Sequence, residues 1–539
     1  MASLDKLPYE LLRPILVELR GELETKGSEQ NLHLRYHLEA VCCVCKNLQP
    51  LAQEILFSTF LVLTPKESWR LPLFFRTLVA KPSLTSHVEH LHLDYFDGSY
   101  VPHQKPLSRD KRLGRHKRQI DRIQQILPEE SVVGSLHAQH GLGEIHKRLW
   151  DMANCTNAAA DELIISLLLL TCTNLRSLAV TIPYTAPILL SAVHRAGNLP
   201  LLNPDNLPLQ HLDTLIGLMI HDTYIETLIP FLRLPSLHTM QGAKFRGTQR
   251  RAHISRMIFQ PFPPGSELLH QHIKRAPLRE LDLGYSHIDG DTLHRFLAQA
   301  KITRCLEVFK LEFWAPEPSS EAEDEEDDEY LDRYNLQNLD RALLSIKDTL
   351  THLEIGAAPV DECWLEEGVV LESISKMEKL KFLRVDLRLL MGWNMLTELQ
   401  DAIPLGLEVL EVKDWETAWF ERNWVVVMLQ LKAVVELTKM EGGMKLKEIR
   451  GLPDDVMNGL GLLKSPVFRQ LMNLCKEAGV LFTGIADCET CESDGGLDLI
   501  KYTAAFVAHE PEWLSTDEEV GSSEGLDKEE DGGQSDMVK

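Results

Sequence analysis

The stretch "LRELDLGYSHIDGDTLHRFLAQA" (residues 278–300) contains the pattern that decides the fold. Its first six residues read L-x-x-L-x-L, and the last three of them alternate apolar, variable and apolar, as in a short strand with one buried face. The residues that follow place four apolar side chains at spacings that allow one shared helix face, namely Ile288, Leu293, Phe296 and Leu297. The stretch therefore predicts one β-strand followed by one α-helix.

The same six-residue pattern returns along the chain with conservative variation. Its copies are "VEHLHL" (88–93), "LRSLAV" (175–180), "LIGLMI" (215–220), "LRELDL" (278–283), "LEVFKL" (306–311), "LTHLEI" (350–355), "LKFLRV" (380–385) and "LEVLEV" (407–412), with "LKEIRG" (446–451) as a degraded member. A single copy would mean little, because the pattern is common in helices and buried strands. Repeated along the chain, one strand plus one helix predicts an α/β solenoid with a parallel sheet.

Charge is concentrated in a few short segments. The net charge is −24 at pH 7, of which residues 317–329 and residues 510–539 contribute −9 each, whereas residues 103–122 contain eight Lys and Arg. We expect a basic loop at 103–122, an acidic loop at 317–329 and a disordered acidic tail at 510–539. The rest of the chain is only mildly acidic, which disfavours general nucleic-acid binding. The basic segment has two open interpretations, a nuclear localisation or anion-binding patch and a solvated loop.

Several features favour an intracellular, soluble protein of the cytoplasm or nucleus. The N-terminal "MASLDKLPYELL" lacks the apolar region of a secretory signal, and the longest apolar run, "LIISLLLL" (163–170), is too short to span a bilayer. The ten cysteines are spread thinly through the chain, as is typical of reduced thiols. We therefore expect no membrane partner.

The first sixty residues predict a small helical module. In "LDKLPYELLRPIL" (4–16) the leucines recur at helical spacing; Pro8 suits a first turn, whereas Pro14 should bend or restart the helix. Further helices are predicted at about 33–46 and at 50–57, before the strand-like "STFLVL". The predicted domains are a three-helix module at 1–60 and a repeat domain at 61–509.

The module resembles an F-box in an ordered set of residues: Leu7-Pro8, Glu10-Leu11-Leu12, Ile15-Leu16, Val44-Cys45-Lys46 and Leu48. Followed by "LAQEILFSTFLVL" and "LFFRTLVAKPSLTSHVEHLHLDYF", it is similar to fungal F-box proteins with divergent leucine-rich repeats. This resemblance implies an irregular leucine-rich-repeat-like solenoid behind the F-box-like module. It also implies a non-catalytic substrate-receptor subunit of an SCF-type cullin-RING ubiquitin ligase, with an SKP-type adaptor, a cullin complex and an unknown protein substrate as partners.

The module offers candidate residues for binding the adaptor. A domain this small buries little area, so apolar residues left over on its surface would be stabilised by a partner. The candidates are Leu7, Pro8, Leu11, Leu12, Ile15, Leu16, Val44 and Leu48. The other interpretation is that some of them pack only within the module or onto the first repeat. For the whole chain, the alternative function is a leucine-rich-repeat interaction scaffold that acts outside ubiquitin ligation.

Six successive copies carry charges of alternating sign at their middle variable position: Asp282, Lys310, Glu354, Arg384, Glu411 and Arg450. Neighbouring strands lie about 4.8 Å apart, so each charge would lie between opposite charges. One interpretation is a structural row of lateral ion pairs, each worth about 0 to 1 kcal/mol. The other is a polar floor for a substrate, formed by His352, Glu354, Phe382, Arg384, Asp386, Glu411 and Lys413.

Signatures of catalysis and metal binding are missing from the sequence. It contains no G-x-S-x-G, P-loop, dinucleotide glycine fingerprint or H-E-x-x-H, so we predict neither an enzyme nor a cofactor. Two C-x-x-C pairs occur, at Cys42–Cys45 and Cys488–Cys491, but they lie far apart and the first belongs to an apolar helix, where cysteine packs as a small hydrophobe. We therefore predict no metal site.

Overall fold

The structure is a computed structural model. It describes residues 8–18, 38–43, 46–62, 70–93, 157–180, 189–190, 192–193, 196, 208–217, 223–247, 277–300, 305–313, 336–357, 369–413, 418–452 and 465–484. Several sequence predictions fall outside these residues, namely those for Leu7, Val44, Cys45, Cys488, Cys491, the basic segment 103–122, the acidic segment 317–329 and the tail 510–539.

The described part of the chain is a mixed α/β fold built on a 12-stranded sheet in which every neighbouring pair is parallel. The strands are β1 (Thr59–Val62), β2 (His90–Leu93), β3 (Ser177–Val180), β4 (Thr214–Gly217), β5 (Thr239–Gly242), β6 (Glu280–Asp282), β7 (Val308–Phe313), β8 (His352–Ala357), β9 (Phe382–Asp386), β10 (Val409–Lys413), β11 (Glu448–Leu452) and β12 (Leu481–Gly484). Each strand of this sheet pairs with the sheet strands that come before and after it along the chain, so the order of strands in the sheet is the order in the sequence. The predicted α/β class with a parallel sheet is confirmed. Two short segments, Thr223–Tyr224 and Phe245–Arg246, form a separate parallel pair.

Helices connect the strands. The α-helices are α1 (Tyr9–Glu18), α2 (Gln49–Ser58), α3 (Arg70–Ala80), α4 (Asn157–Thr171), α5 (Gly290–Ala300), α6 (Leu336–Leu344), α7 (Leu387–Met391), α8 (Leu399–Ala402), α9 (Ala418–Thr438) and α10 (Pro466–Ala478). Residues 38–43 are also helical. Turns of 3₁₀-helix cover Pro82–His87, Ile225–Leu228, Phe231–Arg233 and Ile374–Lys376. The helix predicted after β6 is α5. Three of the four predicted apolar residues, Leu293, Phe296 and Leu297, lie on it, whereas Ile288 precedes it, and all four are buried.

The six-residue pattern builds each unit through its buried positions, numbered here 1 to 6 from the first leucine. In the copy at 350–355 positions 1, 4 and 6 are Leu350, Leu353 and Ile355, and all three are at most 1% exposed. Position 3 opens the strand, so positions 3 and 5 face the opposite side of the sheet. The apolar positions therefore pack into the core, and the variable positions form the other face.

Backbone hydrogen bonds at position 2 join each unit to the next. The carbonyl oxygen of Glu307 accepts from the N–H groups of Thr351 (2.8 Å) and His352 (3.0 Å). The same paired acceptance recurs at position 2 from Glu89 to Glu408. Since backbone polar groups must be paired when buried, this junction fixes the register between strands.

One predicted strand is displaced, and two strands of the sheet, β5 and β12, were not predicted. The copy proposed at 215–220 is wrong by three residues: Leu212 and Leu215 occupy positions 1 and 4, and β4 ends at Gly217. The apolar "LIGLMI" fits two registers, and only packing distinguishes them. Strand β5 was missed because its position 6 is Gly242, where an added Cβ would meet the Phe245 ring at 2.6 Å. The ring of Phe245 therefore fills the space that the position-6 side chain, such as Leu283 or Leu311, fills in other copies.

The N-terminal helices have a small core of their own. It consists of Leu12, Leu16, Leu38, Leu48, Leu51, Ala52 and Ile55, and it is separate from the large core that runs from Phe60 to Val480. Helix α1 continues through Pro14, so the predicted restart does not occur. Helix α2 contributes to both cores, because Leu56 packs on the small one and Phe57 on the large one.

Candidate functional site

Helix α1 has one buried apolar stripe and one exposed one. Leu12 and Leu16, one turn apart, are 7% and 0% exposed and point into the small core. Leu11 and Ile15 are also one turn apart, but they are 54% and 40% exposed. Residues four apart share a helix face, so the second pair forms a continuous apolar stripe toward solvent. Pro8 lies exposed just before the helix and extends this stripe.

Two contacts to Glu54 of α2 hold α1 in this orientation. The Tyr9 hydroxyl donates to Glu54 Oε2 at 3.1 Å, and Arg13 Nη2 lies 3.2 Å from Glu54 Oε1. Desolvation and the hydrogen bond to Glu54 raise the pKa of Tyr9, so the phenol keeps its proton. The polar side chains of α1 therefore bind Glu54 within the module. No described residue covers the exposed apolar stripe.

The structure divides the predicted adaptor-binding residues into two groups. Pro8, Leu11 and Ile15 lie at the surface. Leu12, Leu16 and Leu48 are at most 7% exposed and fill the small core. A partner cannot contact these three side chains unless the module opens. Of the predicted adaptor-binding residues that the structure describes, only Pro8, Leu11 and Ile15 are therefore accessible to a partner.

The predicted alternation of charge is present on the sheet. We name the row Asp282, Lys310, Glu354, Arg384, Glu411 and Arg450 the charge ladder; its members are direct neighbours in strand register. Lys310 Nζ lies 3.3 Å from Glu354 Oε1, and Arg384 reaches Glu354 Oε2 with Nη1 at 3.4 Å and Glu411 Oε1 with Nε at 3.1 Å. Arg450 pairs within its own strand, with Nη2 2.8 Å from Glu448 Oε2. The lateral ion pairs are therefore real contacts in the middle of the ladder.

The polar part of this row has a definite beginning. On β3 and β4 position 5 is held by Ala179 and Ile216, both 3% exposed. From Asp282 onward the same position carries charges that are partly open to solvent. On this face of the described sheet, partly exposed charges at position 5 therefore occur only beyond β4.

Glu354 is the most strongly stabilised charge of the ladder. Burial opposes its ionisation, but the contact with His352 and the charges of Lys310 and Arg384 outweigh it, so the pKa of Glu354 falls to about 2. The pKa of Lys310 is raised: desolvation works against its charge, and Glu354 and Asp282 more than offset that. Both groups are ionised across the neutral range.

Asp282, at the end of the ladder, behaves in the opposite way. Desolvation raises its pKa to about 6, despite the hydrogen bond that Gly284 N–H donates to Oδ1 at 3.0 Å and the charge of Lys310. It has a cation on one side only, since its neighbour on β5 is Gln241. A carboxylate with a neighbouring cation on one side only is less well compensated than Glu354, which has one on each side.

An aromatic pair lies beside the ladder. The rings of His352 and Phe382 are stacked with centroids 4.0 Å apart and planes 7° apart, and Arg450 Cζ lies 6.0 Å from the Phe382 centroid. His352 Nε2 also lies 2.7 Å from Glu354 Oε1. Because the two rings stack face to face, they contribute to the packing between the neighbouring strands β8 and β9.

Lys413 and Asp386 are held by contacts of their own. Lys413 forms an ion pair with Glu312, and a Cβ added at Gly356 would meet Lys413 Cδ at 2.6 Å. Asp386 is 2% exposed and caps α7, accepting from Arg388 N at 2.9 Å and from Arg388 Nε at 3.0 Å. Asp386 therefore serves the fold, and the substrate contact predicted for it is not available at the surface.

A second row of charges was missed by the sequence reasoning. It occupies position 2, where Asp213 Oδ1 lies 3.0 Å from His238 Nδ1 and Lys381 Nζ lies 3.6 Å from Glu408 Oε1. Lys447 Nζ lies 2.5 Å from the other oxygen of Glu408. The hydrogen bond from Lys447 lowers the pKa of Glu408. The signal was present in the sequence, because position 2 alternates in sign in the later copies.

The described residues contain no group of three His, Cys, Asp or Glu that could hold a metal ion. Burial raises the pKa of Cys172 to about 12 and that of Cys475 to about 11, so both thiols stay protonated and are poor nucleophiles. No helix within the described ranges is long and apolar enough to cross a membrane.

Comparison with known proteins adds no assignment. No model of a known protein family matches the chain, and no curated protein matches it.

Proposed function

We propose that this protein is a non-catalytic substrate receptor of an SCF-type cullin-RING ubiquitin ligase. The N-terminal helices are the F-box-like module that docks on an SKP-type adaptor. The twelve parallel units form an irregular leucine-rich-repeat-like solenoid that holds a protein substrate. The chain acts in the cytoplasm or nucleus and contributes geometry, because tethering a substrate near the charged ubiquitin carrier raises its effective concentration.

The observation that carries this proposal is that α1 has one apolar stripe buried in the module and another exposed to solvent. Leu12 and Leu16 give the module a core of its own, whereas Leu11 and Ile15 remain about half exposed on the adjacent face. An apolar stripe exposed on a helix offers a surface that a partner can cover, and on α1 this stripe lies in the segment that resembles an F-box. Such a stripe gains stabilisation when a partner covers it, and this matches the role that the F-box resemblance implies.

The substrate would bind on the sheet face that carries the charge ladder. This face presents the partly exposed side chains of His352, Glu354, Phe382, Arg384 and Glu411 along the three neighbouring strands β8, β9 and β10. Extended faces of repeat proteins are suited to protein partners. Since the ladder charges already compensate one another, we expect recognition to depend on shape and hydrogen bonding more than on net charge.

Adaptor binding can be tested with paired variants. Leu11→Asp combined with Ile15→Asp should abolish binding of a purified SKP-type adaptor, measured by titration calorimetry, with the thermal unfolding midpoint unchanged. The matched control is Val425→Asp combined with Leu429→Asp on α9, since these residues are 39% and 48% exposed and lie far from α1 in sequence. The control should bind like the unmodified chain.

Co-purification from native cells tests assembly into a ligase. Adaptor and cullin should be recovered with the full chain and should be lost with the α1 double variant. If the unmodified chain binds neither protein, the ligase assignment is wrong, and the interaction scaffold that acts outside ubiquitin ligation takes its place.

A further inference from the structure

We propose that residues 497–507 ("LDLIKYTAAFV"), which lie outside the described residues, pair with the free edge of β12 and cap the end of the sheet as one further strand. This inference is independent of the proposed function, because it concerns how the repeat domain closes its own end. The occupant of the edge is a segment of the same chain.

The core is incomplete at β12. Position 4 is filled by residues that are at most 1% exposed from Leu91 of β2 to Ile449 of β11. At β12 this position is Phe482, which is only half-buried and touches Phe468 edge-on at 5.8 Å. On the opposite face of the sheet, Leu481 at position 3 is 57% exposed, whereas position 3 is only partly exposed from His90 of β2 to Glu448 of β11. Two large apolar side chains therefore lack the neighbour that the next strand supplies everywhere else.

The opposite end of the sheet is closed. At β1, position 4 is Phe60, which is 2% exposed and stacks on Phe74 with centroids 4.0 Å apart. Terminal units of repeat domains need such a cover, since a stacked unit cannot bury its own outer side. Only the β12 end lacks a cover among the described residues.

The edge of β12 also offers hydrogen-bonding groups. Leu481 N–H donates to the Lys447 carbonyl at 2.8 Å, so Leu481 faces β11. In parallel pairing, alternate residues direct their N–H and C=O groups to opposite sides, so the groups of Phe482 face the free edge. An open edge of this kind is a template for one more strand.

The chain carries a matching segment beyond β12. "LDLIKY" (497–502) repeats the six-residue pattern with Leu497, Ile500 and Tyr502 at positions 1, 4 and 6. The following residues keep the strand-like alternation through Phe506. Ile500 would therefore extend the buried row beyond Phe482, and Lys501 would face solvent.

Length permits this pairing within one chain. Residues 485–496 join Gly484 to Leu497, and a linker of that size spans up to about 40 Å, well beyond the length of a four-residue strand. A short tether gives an effective concentration in the millimolar range, roughly. A second copy of the chain at ordinary protein concentration would be outcompeted.

Hydrogen exchange tests the proposal on the full-length chain. Exchange of the Phe482 amide should be slow in the unmodified chain and about tenfold or more faster in Ile500→Asp. Lys501→Glu is the matched control, since its side chain faces solvent in the proposed strand, and it should leave the rate unchanged. The amides of β8 and β9 report that the rest of the fold is intact.

Two truncations separate the segment from the acidic tail. Ending the chain at residue 509 should preserve protection of Phe482, and ending it at residue 494 should remove it. Equal exchange in all variants would overturn the proposal, as would equal damage by Ile500→Asp and Lys501→Glu. Protection that rises with protein concentration, together with a dimer mass by light scattering, would assign the edge to a second copy and also overturn it.

Discussion

At the scale of single residues, Arg384 shows how the ladder stabilises the sheet. It lies between Glu354 and Glu411 and pairs with both. Arg384→Glu would place three glutamates side by side and replace two attractions with two repulsions. We expect a loss of roughly 1 to 3 kcal/mol in the free energy of unfolding, measured by urea denaturation.

A matched charge reversal in the second row of charges, at position 2, provides the control. Arg279 Nη1 lies 4.0 Å from Glu307 Oε1, and both side chains are at least half exposed. Arg279→Glu should therefore change stability far less. If Arg384→Glu lowers stability but leaves substrate capture intact, Arg384 is structural and its assignment to the substrate face is wrong.

The two carboxylates with opposite pKa shifts should give opposite pH dependences. The folded pKa of Glu354 is about 2, below its ordinary value of 4.5, so its charge stabilises the fold above pH 4.5, and this contribution is lost as the pH falls. The folded pKa of Asp282 is about 6, above its ordinary 3.8, so its contribution is present below pH 3.8 and is lost as the pH rises through 6. Glu354→Gln should therefore destabilise the protein at pH 7, whereas Asp282→Asn should stabilise it.

Urea midpoints at pH 7, 5 and 4 separate these effects. The gain from Asp282→Asn should shrink between pH 6 and pH 4. The loss from Glu354→Gln should persist at pH 5 and begin to shrink only below pH 4.5. Parallel pH profiles for the two variants would contradict the assigned environments.

At the scale of secondary structure elements, the sequence predicted a strand where apolar residues filled positions 1, 4 and 6. The units at Leu278, Leu306, Leu350 and Leu380 follow this rule without exception. The prediction failed where a neighbour supplied the missing side chain, as Phe245 does at Gly242, because such a substitution depends on residues outside the six. On α1 the pattern identified the apolar residues but not which of them face inward, since that depends on where α2 packs.

The packing of α5 on α6 depends on one glycine. A Cβ at Gly290 would lie 2.6 Å from the carbonyl carbon of Asn338, within the backbone of the neighbouring helix. Gly290→Ala should therefore push the two helices apart and cost about 1 to 3 kcal/mol of unfolding free energy. Calorimetry checks this expectation, with Gln337→Ala on the exposed side of α6 as the control. An unchanged melting temperature for Gly290→Ala would show that this close approach is not required.

At the scale of the whole molecule, two cores of very different size meet at α2. Phe57 of this helix stacks on Phe74 with centroids 5.8 Å apart, and Ser58 leads directly into β1. The helical module is therefore attached to the closed end of the sheet. In the proposed receptor, this continuous connection from α2 to β1 would fix the direction in which the substrate face points relative to the adaptor.

This arrangement predicts that the small core unfolds separately. Leu16 is fully buried in it and touches none of the large core. Leu16→Ala should cost about 2 to 5 kcal/mol within the module, because it removes buried methyl groups and leaves a cavity. Hydrogen exchange should then show faster opening of α1 and of residues 51–55, with β8 to β10 unchanged. Leu353→Ala in the large core should give the reverse pattern, and a uniform increase in exchange for either variant would mean that the two cores unfold as one.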